Sequence, residues 1–353
     1  QAFKLAWKAA CREAYSDNAK VTVPFGKTFL VSPIVFQGPC SCYNITFEIL
    51  GSIVAPPKEA WKIKNVAGWL RFQGVDRLAV IGNGQGIIDG QGATWWDDAL
   101  LFSHCNHLQV NGLKHINSQK FHVSLSNCDN SVISRLHMIA PSKSPNTDGI
   151  DIGDSTNVSI TNCTMETGDD CIAIKPGSSN VAISEIACGP GHGISIGSLG
   201  AGGTRDQVEG ISVSNCTFNR TQNGIRIKTW QGGSGFVRNI KFMQINFTAT
   251  DNPVVIDQFY CPHSICANQT SAVKVSNVTF QGLRGTSPSK ITAVNLRCSD
   301  TVPCTHIVLD DLHILSTDAQ EPTMSYCNNA YGIANNTYSP PVNCLLSEQL
   351  GHK

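Results

Sequence analysis

Three short segments carry the residues best suited to chemistry: Asn146-Thr147-Asp148, Gly168-Asp169-Asp170 and Gly191-His192-Gly193. Each leads into a strand-like stretch, Gly149-Ile150-Asp151-Ile152, Cys171-Ile172-Ala173-Ile174 and Gly193-Ile194-Ser195-Ile196, and Asp148, Asp170 and His192 stand 22 residues apart, twice. A fixed period in a β-rich chain means stacked coils, in which residues of equal phase lie above one another at roughly 4.8 Å per strand. Two carboxylates and an imidazole therefore share one column. Stacked Asp148 and Asp170 repel when both ionise, unless a water or cation is shared between them. Asp169 has the opposite strand phase and is expected to point elsewhere. The set supplies a pair able to hold and deprotonate a water, and a separate acid able to protonate a leaving oxygen. That is the division of labour of inverting glycoside hydrolysis, in which acid and base stand about 6.5–9.5 Å apart.

Arg226-Ile227-Lys228 lies on the coil after His192. A sugar carboxylate approaching three aspartates would be repelled, and a guanidinium with an ammonium offsets this through charge-assisted hydrogen bonds. A uronic acid polymer is the natural candidate. Turn chemistry explains any single Asp or Gly before a strand. It gives no reason for three carboxylates, one histidine and two cations to gather within four adjacent coils, nor for glycines flanking them as though the backbone made room for a ligand.

The elements that must position these residues are short. Phe3, Trp7, Ala10, Cys11 and Ala14 recur at helical spacing, which predicts one amphipathic helix over about residues 2–15, a cap. A second helical pattern is conceivable only near Trp95-Trp96-Asp97-Asp98-Ala99-Leu100. Otherwise β-branched segments alternate with Gly, Asn, Asp and Ser clusters. One track starts at Leu78, Leu108, Val132, Val158, Val181, Ile211, Ile240, Val273 and Ile307, with intervals of 30, 24, 26, 23, 30, 29, 33 and 34. A second carries Ile150, Ile172, Ile194, Ile225 and Val254 inward, with Asp151, Ala173, Ser195 and Arg226 outward. Variable intervals with persistent strand signals fit coils whose surface turns accept insertions, and fit neither a propeller nor a jelly roll. Asn127, Asn162, Asn215 and Asn277 read as an internal asparagine ladder, which would leave some sequons unused. The expectation is an all-β chain, residues 1–353 forming a single-domain right-handed parallel β-helix with an N-terminal capping α-helix.

Charged residues make up 15% of the 353-residue chain, against a usual figure of about 25%, and formal net charge is zero. Neither nucleic acid nor a membrane is expected as a partner. No apolar run approaches the roughly 18 residues of a membrane helix. Gln1 opens directly in the helical pattern, so the chain reads as mature or trimmed. Fifteen cysteines and nine Asn-X-Ser/Thr sequons, at Asn44, Asn157, Asn162, Asn215, Asn219, Asn246, Asn268, Asn277 and Asn335, point to an oxidising secretory route. Paired histidines near a CxxC are lacking, which disfavours zinc. Pairings such as Cys171 to Cys188, Cys298 to Cys304 and Cys327 to Cys344 are compatible with the spacing, and Cys11 can meet Cys40 or Cys42, but spacing leaves connectivity open. Cys128, Cys163 and Cys216, each after an asparagine, suit small buried positions.

Together the four motifs, with Val23-Pro24-Phe25-Gly26, Ile87-Ile88-Asp89-Gly90-Gln91-Gly92 and Thr229-Trp230-Gln231-Gly232-Gly233, resemble the plant polygalacturonases of glycoside hydrolase family 28 over most of the chain. The resemblance implies hydrolysis of α-1,4-galacturonosyl bonds of de-esterified pectin with inversion. It implies Asp169 as general acid, Asp148 and Asp170 as the groups that activate water, and His192 as the residue tuning the acid. Arg226 and Lys228 would bind the galacturonate carboxylate, with Asn146 and Tyr260 beside them, although Tyr260 also reads as an ordinary strand aromatic. The same resemblance favours a Cys171 to Cys188 bridge and implies a first strand ahead of Gln1. No metal or cofactor is expected. Endo action is expected from the Thr229–Ser234 region, with exo action or a catalytically weak pectin-binding wall protein as alternatives. A pectate lyase would share the architecture but use calcium and an arginine base. A secreted, extracellular cell-wall monomer acting on polygalacturonate is the expectation, with a proteinaceous inhibitor as a candidate partner.

Overall fold

A computed structural model describes residues 1–13, 17–57, 60, 68–92, 99–262, 266–288 and 292–347. Its regularity starts from the backbone. Residues with left-handed φ recur in pairs five apart: His107 and Gly112, Asn130 and Arg135, Asn157 and Asn162, Asn180 and Glu185, Gly210 and Asn215, Asn239 and Gln244, Asn277 and Gly282, His306 and Asp311, all between 52° and 69°. Each pair turns the chain sharply on both sides of a four-residue strand. Asparagine dominates because its short polar side chain tolerates this conformation.

The chain divides into two compact units, Gln1–Ile172 and Ala173–Lys353. In the first, strands Asn18–Val23, Asn44–Ile49, Leu78–Asp89, Gln109–Ile116, Asp129–Ser134 and Thr156–Glu166 stack in that order, every pair parallel. Beside them Ile34–Gln37, Leu70–Gln73, Leu100–Ser103, Val123–Ser126 and Ile150–Gly153 form a second parallel sheet. The second unit repeats the plan, with Ile194–Leu199, Asn223–Thr229, Asn252–Asp257, Thr292–Arg297 and Met324–Asn328 in its second sheet. Each unit is a right-handed parallel β-helix, nearly all β, as the spacing predicts.

Equal phase puts like on like. Ile34, Leu70, Leu100, Val123 and Ile150 are successive register partners, and so are Phe36, Phe72 and Phe102, whose rings stack at 4.6 and 5.5 Å. Ile150, Ile172, Ile194, Ile225 and Val254 are all fully buried. Each such side chain contributes about 1.5–3 kcal/mol of transfer free energy. Two phases in the first track need correction. Val132 pairs with Gln109 and is 45% exposed, so the buried Ser131 takes the inward place; Ile240 pairs with Val278, whereas Val275 pairs with Val237 ahead of the corner. The asparagine ladder is also corrected. Asn127, Asn162, Asn215 and Asn277 are exposed corner residues with φ of 53–54°, and the buried positions beside the first three belong to Cys128, Cys163 and Cys216. Amide-to-amide bonds do occur outside, as from Asn277 Nδ2 to Asn239 Oδ1 at 2.7 Å.

The cap is α-helical over Ala2–Lys8 and π-helical over Ala9–Glu13; residues 14–15 lie outside the described residues. Trp7 drives its docking, packing its ring 5.2 Å from Phe36 and 5.6 Å from Phe72 while its indole N–H donates to Gln37 O at 3.2 Å. The Cys11–Cys40 disulfide fastens the end. Of the second possible helix, residues 93–98 lie outside the described residues, and Leu100 opens a strand. Cys298–Cys304 and Cys327–Cys344 pair as anticipated, Cys261–Cys266 was not anticipated, and Cys171 and Cys188 are both disulfide-bonded.

The first unit also buries two imidazoles, His115 and His122, edge to face at 4.9 Å. Burial pushes His115 down to about 3; burial and then the neighbouring His115 ring push His122 well below its ordinary value. Both are neutral when folded, but protonate near pH 6.5 when unfolded, so the unfolded state takes up the extra protons. Stability from this source is full above about pH 6.5 and falls toward pH 3, by up to about 1.4 kcal/mol per pH unit for His115 alone. The double variant His115→Phe, His122→Phe is expected to flatten this acid limb, read as denaturant midpoint against pH.

Candidate active site

In the first unit, main-chain bonds fix the phase of the aspartates. His122 N donates to Asp148 O at 2.8 Å, Gly149 N to Asp170 O at 2.9 Å and Ile150 N to Cys171 O at 3.0 Å. Asp148 and Asp170 thus occupy equivalent places on consecutive coils, 4% and 1% exposed. Asp169 is half-buried, and the structure corrects the expectation that it points elsewhere: despite its opposite strand phase, one of its carboxylate oxygens lies within 4.8 Å of one of Asp170's. Its Oδ1 accepts from Asp170 N at 2.9 Å and its Oδ2 from Asn146 N at 3.3 Å, which ties Asn146 to the group. Two main-chain donors hold this carboxyl in one orientation, the kind of preorganisation a proton-transfer group needs.

A buried hydroxyl supports the turn. Thr147 donates to Ser144 O at 3.2 Å and accepts from Gly168 N at 3.0 Å, locking the segment ahead of Asp148 to the segment ahead of Asp169. The glycines have a different purpose from the one their flanking positions suggest. A Cβ on Gly168 would lie 2.1 Å from Ser144 O, one on Gly149 2.4 Å from Cys171 O, and one on Gly193, at φ +88°, 2.2 Å from Asn223 O. They let neighbouring coils approach, rather than making room for a ligand.

In the second unit His192 is half-buried, and its carbonyl accepts from Asn223 Nδ2 at 3.2 Å. Ser195 pairs in register with Arg226, and Gly197 with Lys228. Arg226 Nε donates to Ser195 Oγ at 3.0 Å, a positioning contact legible in their shared phase but not singled out from sequence. Ala173 and Ser195 face outward in phase yet are fully buried. Lys228 is 6% exposed, with Nζ 5.4 Å from the centre of the Tyr260 ring, and Tyr260 packs edge-on to Trp230 at 5.6 Å. Tyr260 is therefore joined to the cation group. The first unit brings together Asn146, Asp148, Asp169 and Asp170; the second aligns His192, Arg226, Lys228 and Tyr260.

The model of glycosyl hydrolases family 28 matches residues 14–338, and the chain belongs to that family. It is accordingly a glycoside hydrolase, with polygalacturonases as relatives. A probable polygalacturonase of Arabidopsis thaliana is 44% identical over 98% of this chain and 76% of its own length, and an exopolygalacturonase of Platanus acerifolia is 38% identical over 98% and 93%. Among solved structures, the endo-xylogalacturonan hydrolase of Aspergillus tubingensis superposes with a TM-score of 0.80 at 25% identity, covering 90% of this chain and 91% of its own.

Thr147→Val keeps the side-chain volume but strands the Gly168 N–H. We expect a loss of about 1–3 kcal/mol in denaturant unfolding, the penalty of an unsatisfied buried donor, with Thr147→Ser keeping most of the stability.

Proposed function

We propose that this chain is a polygalacturonase that hydrolyses α-1,4-galacturonosyl bonds within de-esterified homogalacturonan, with inversion at the anomeric carbon. The observation that carries this reading is the in-phase burial of Asp148 and Asp170 with the Asp169 carboxyl held beside them by two main-chain donors, in a family 28 chain. Asp169 gives its proton to the glycosidic oxygen as the bond to the anomeric carbon breaks. Asp148 and Asp170 orient a water on the opposite face and take its proton as its oxygen bonds to that carbon. His192 tunes the acid. Arg226 and Lys228 bind the galacturonate carboxylate by charge-assisted hydrogen bonds, with Asn146 and Tyr260 beside them.

Endo action is favoured by the Thr229–Ser234 sequence. The disulfides favour a secreted, cell-wall enzyme. Eight of the nine sequon asparagines are exposed, with Asn44 half-buried, so their glycosylation fits the same route.

Asp169→Asn is expected to lower kcat by ~10²–10⁴-fold while leaving affinity for oligogalacturonate essentially intact. Near-normal turnover would remove Asp169 from the acid role. Proton NMR of the first-formed product should show the β-anomer; the retained α-anomer would exclude inversion. Early products from polygalacturonate should be mixed oligomers, and monomer released from the outset would exclude endo action. Unsaturated, chelator-sensitive products would instead indicate a lyase.

A further inference from the structure

Three of the nine sequons meet on two neighbouring coils of the second unit. Asn215-Cys216-Thr217 leads into the strand Thr217–Asn219, Asn219-Arg220-Thr221 leaves it, and Asn246-Phe247-Thr248 ends the strand Ser234–Thr248. The two strands pair in parallel, with Thr217 opposite Asn246 and Asn219 opposite Thr248. We infer that Asn215, Asn219 and Asn246 form an N-glycan patch, each carrying an oligosaccharide rooted in N-acetylglucosamine, while Asn44, Asn157 and Asn277 stay bare. The inference rests on the secretory reading above, which supplies a lipid-linked oligosaccharide as donor. In the transfer, the bond from sugar C1 to the donor's pyrophosphate oxygen breaks as C1 bonds to Nδ2, and the amide gives one proton to a base of the transferase.

Exposure does not sort the sequons, since eight of the nine asparagines are exposed. What their amides already do sorts them. Asn44 Nδ2 donates to Asn18 Oδ1 at 2.9 Å, Asn157 Nδ2 to Asp129 Oδ1 at 3.1 Å and Asn277 Nδ2 to Asn239 Oδ1 at 2.7 Å. A sugar on such a nitrogen takes one of its two hydrogens and crowds the bond made by the other. Asn215, Asn219 and Asn246 are exposed and make no side-chain hydrogen bond among the described residues.

Strand alternation supplies the second argument. Cys216 and Phe247 face inward and are buried, so the asparagine and hydroxyl of each of those sequons are exposed together. In the third sequon Thr221 is buried, its hydroxyl 3.3 Å from Thr250 Oγ1, so the transferase reaches it only before the coils close. The finished fold then decides which sugars it can carry. One strand spacing across and two residues along place Asn219 and Asn246 about 8 Å apart. Asn215 stands at the left-handed corner, φ 53°, just ahead of the shorter strand. Sugars this close make one continuous hydrated cover. Arg220, also at φ 53°, turns the chain from Asn219 toward the strand Asn223–Thr229, which bears Arg226 and Lys228. The cover therefore borders the cation strand on one side.

The test is glycopeptide mass spectrometry on the full chain, taken once from its native source and once from a yeast host that secretes it behind a leader. In the yeast protein, sugar is expected on each of Asn215, Asn219 and Asn246, with Asn44, Asn157 and Asn277 unmodified. Asn215→Gln, Asn219→Gln and Asn246→Gln should each lower the intact mass by one glycan without moving the melting temperature of the deglycosylated protein. Any patch asparagine that never carries sugar overturns the patch, whether or not Asn162, Asn268 or Asn335 is modified. Sugar on Asn44, Asn157 or Asn277 in folded, active protein overturns the sorting by amide bonds. A native protein bare at all nine sequons, beside a yeast protein modified at the patch, would sink the secretory reading and keep the patch.

Discussion

Everything in this molecule depends on the in-register hydrogen bonding of parallel strands. A strand one coil further on must set each residue over its phase partner, and the left-handed corners five residues apart keep that phase whatever lies between one pair and the next. Intervals between corresponding strands vary, but the four-residue strand between corners does not. Phase is therefore the variable that sequence must satisfy, and insertions outside the corner pairs leave it untouched.

The same rule serves core and chemistry alike. Inward phases stack Ile on Ile and Phe on Phe, where identical shapes interdigitate with little strain. Applied at Asp148 and Asp170, it forces two carboxylates into equivalent buried places that an ordinary core would never select. A fold whose packing gain is spread over many identical steps can hold such a local conflict, provided the surrounding backbone is tied down. Thr147 and the main-chain donors around Asp169 do that tying.

Sequence displayed the aspartate column, the cation pair and the coil architecture because all three are statements about period and residue type. It missed what depends on backbone handedness and close approach. The recurring asparagines looked like an interior ladder because repetition alone does not reveal φ; with φ near +53° the same side chains point to solvent. Val132 drew the strand track out of register because a valine is a stronger strand signal than the serine at position 131, and Val273 did so because it opens an equally strong valine stretch ahead of the in-register Val278. The glycines near the acids invited a reading about ligand space, yet the atoms they would strike are carbonyls of neighbouring coils.

Five thiols, Cys42, Cys105, Cys128, Cys163 and Cys216, are free among the described residues, four of them fully buried. Burial pushes Cys163 and Cys216 up to about 11, which keeps them protonated and unreactive while the coils are intact. Unfolding removes that protection and puts nucleophilic sulfur into a chain that also carries disulfides. Exchange between those thiols and the bridges is then open to the unfolded chain. Where exchange outruns rewinding, loss of the protein on heating follows how often the stack opens, a lifetime rather than an equilibrium.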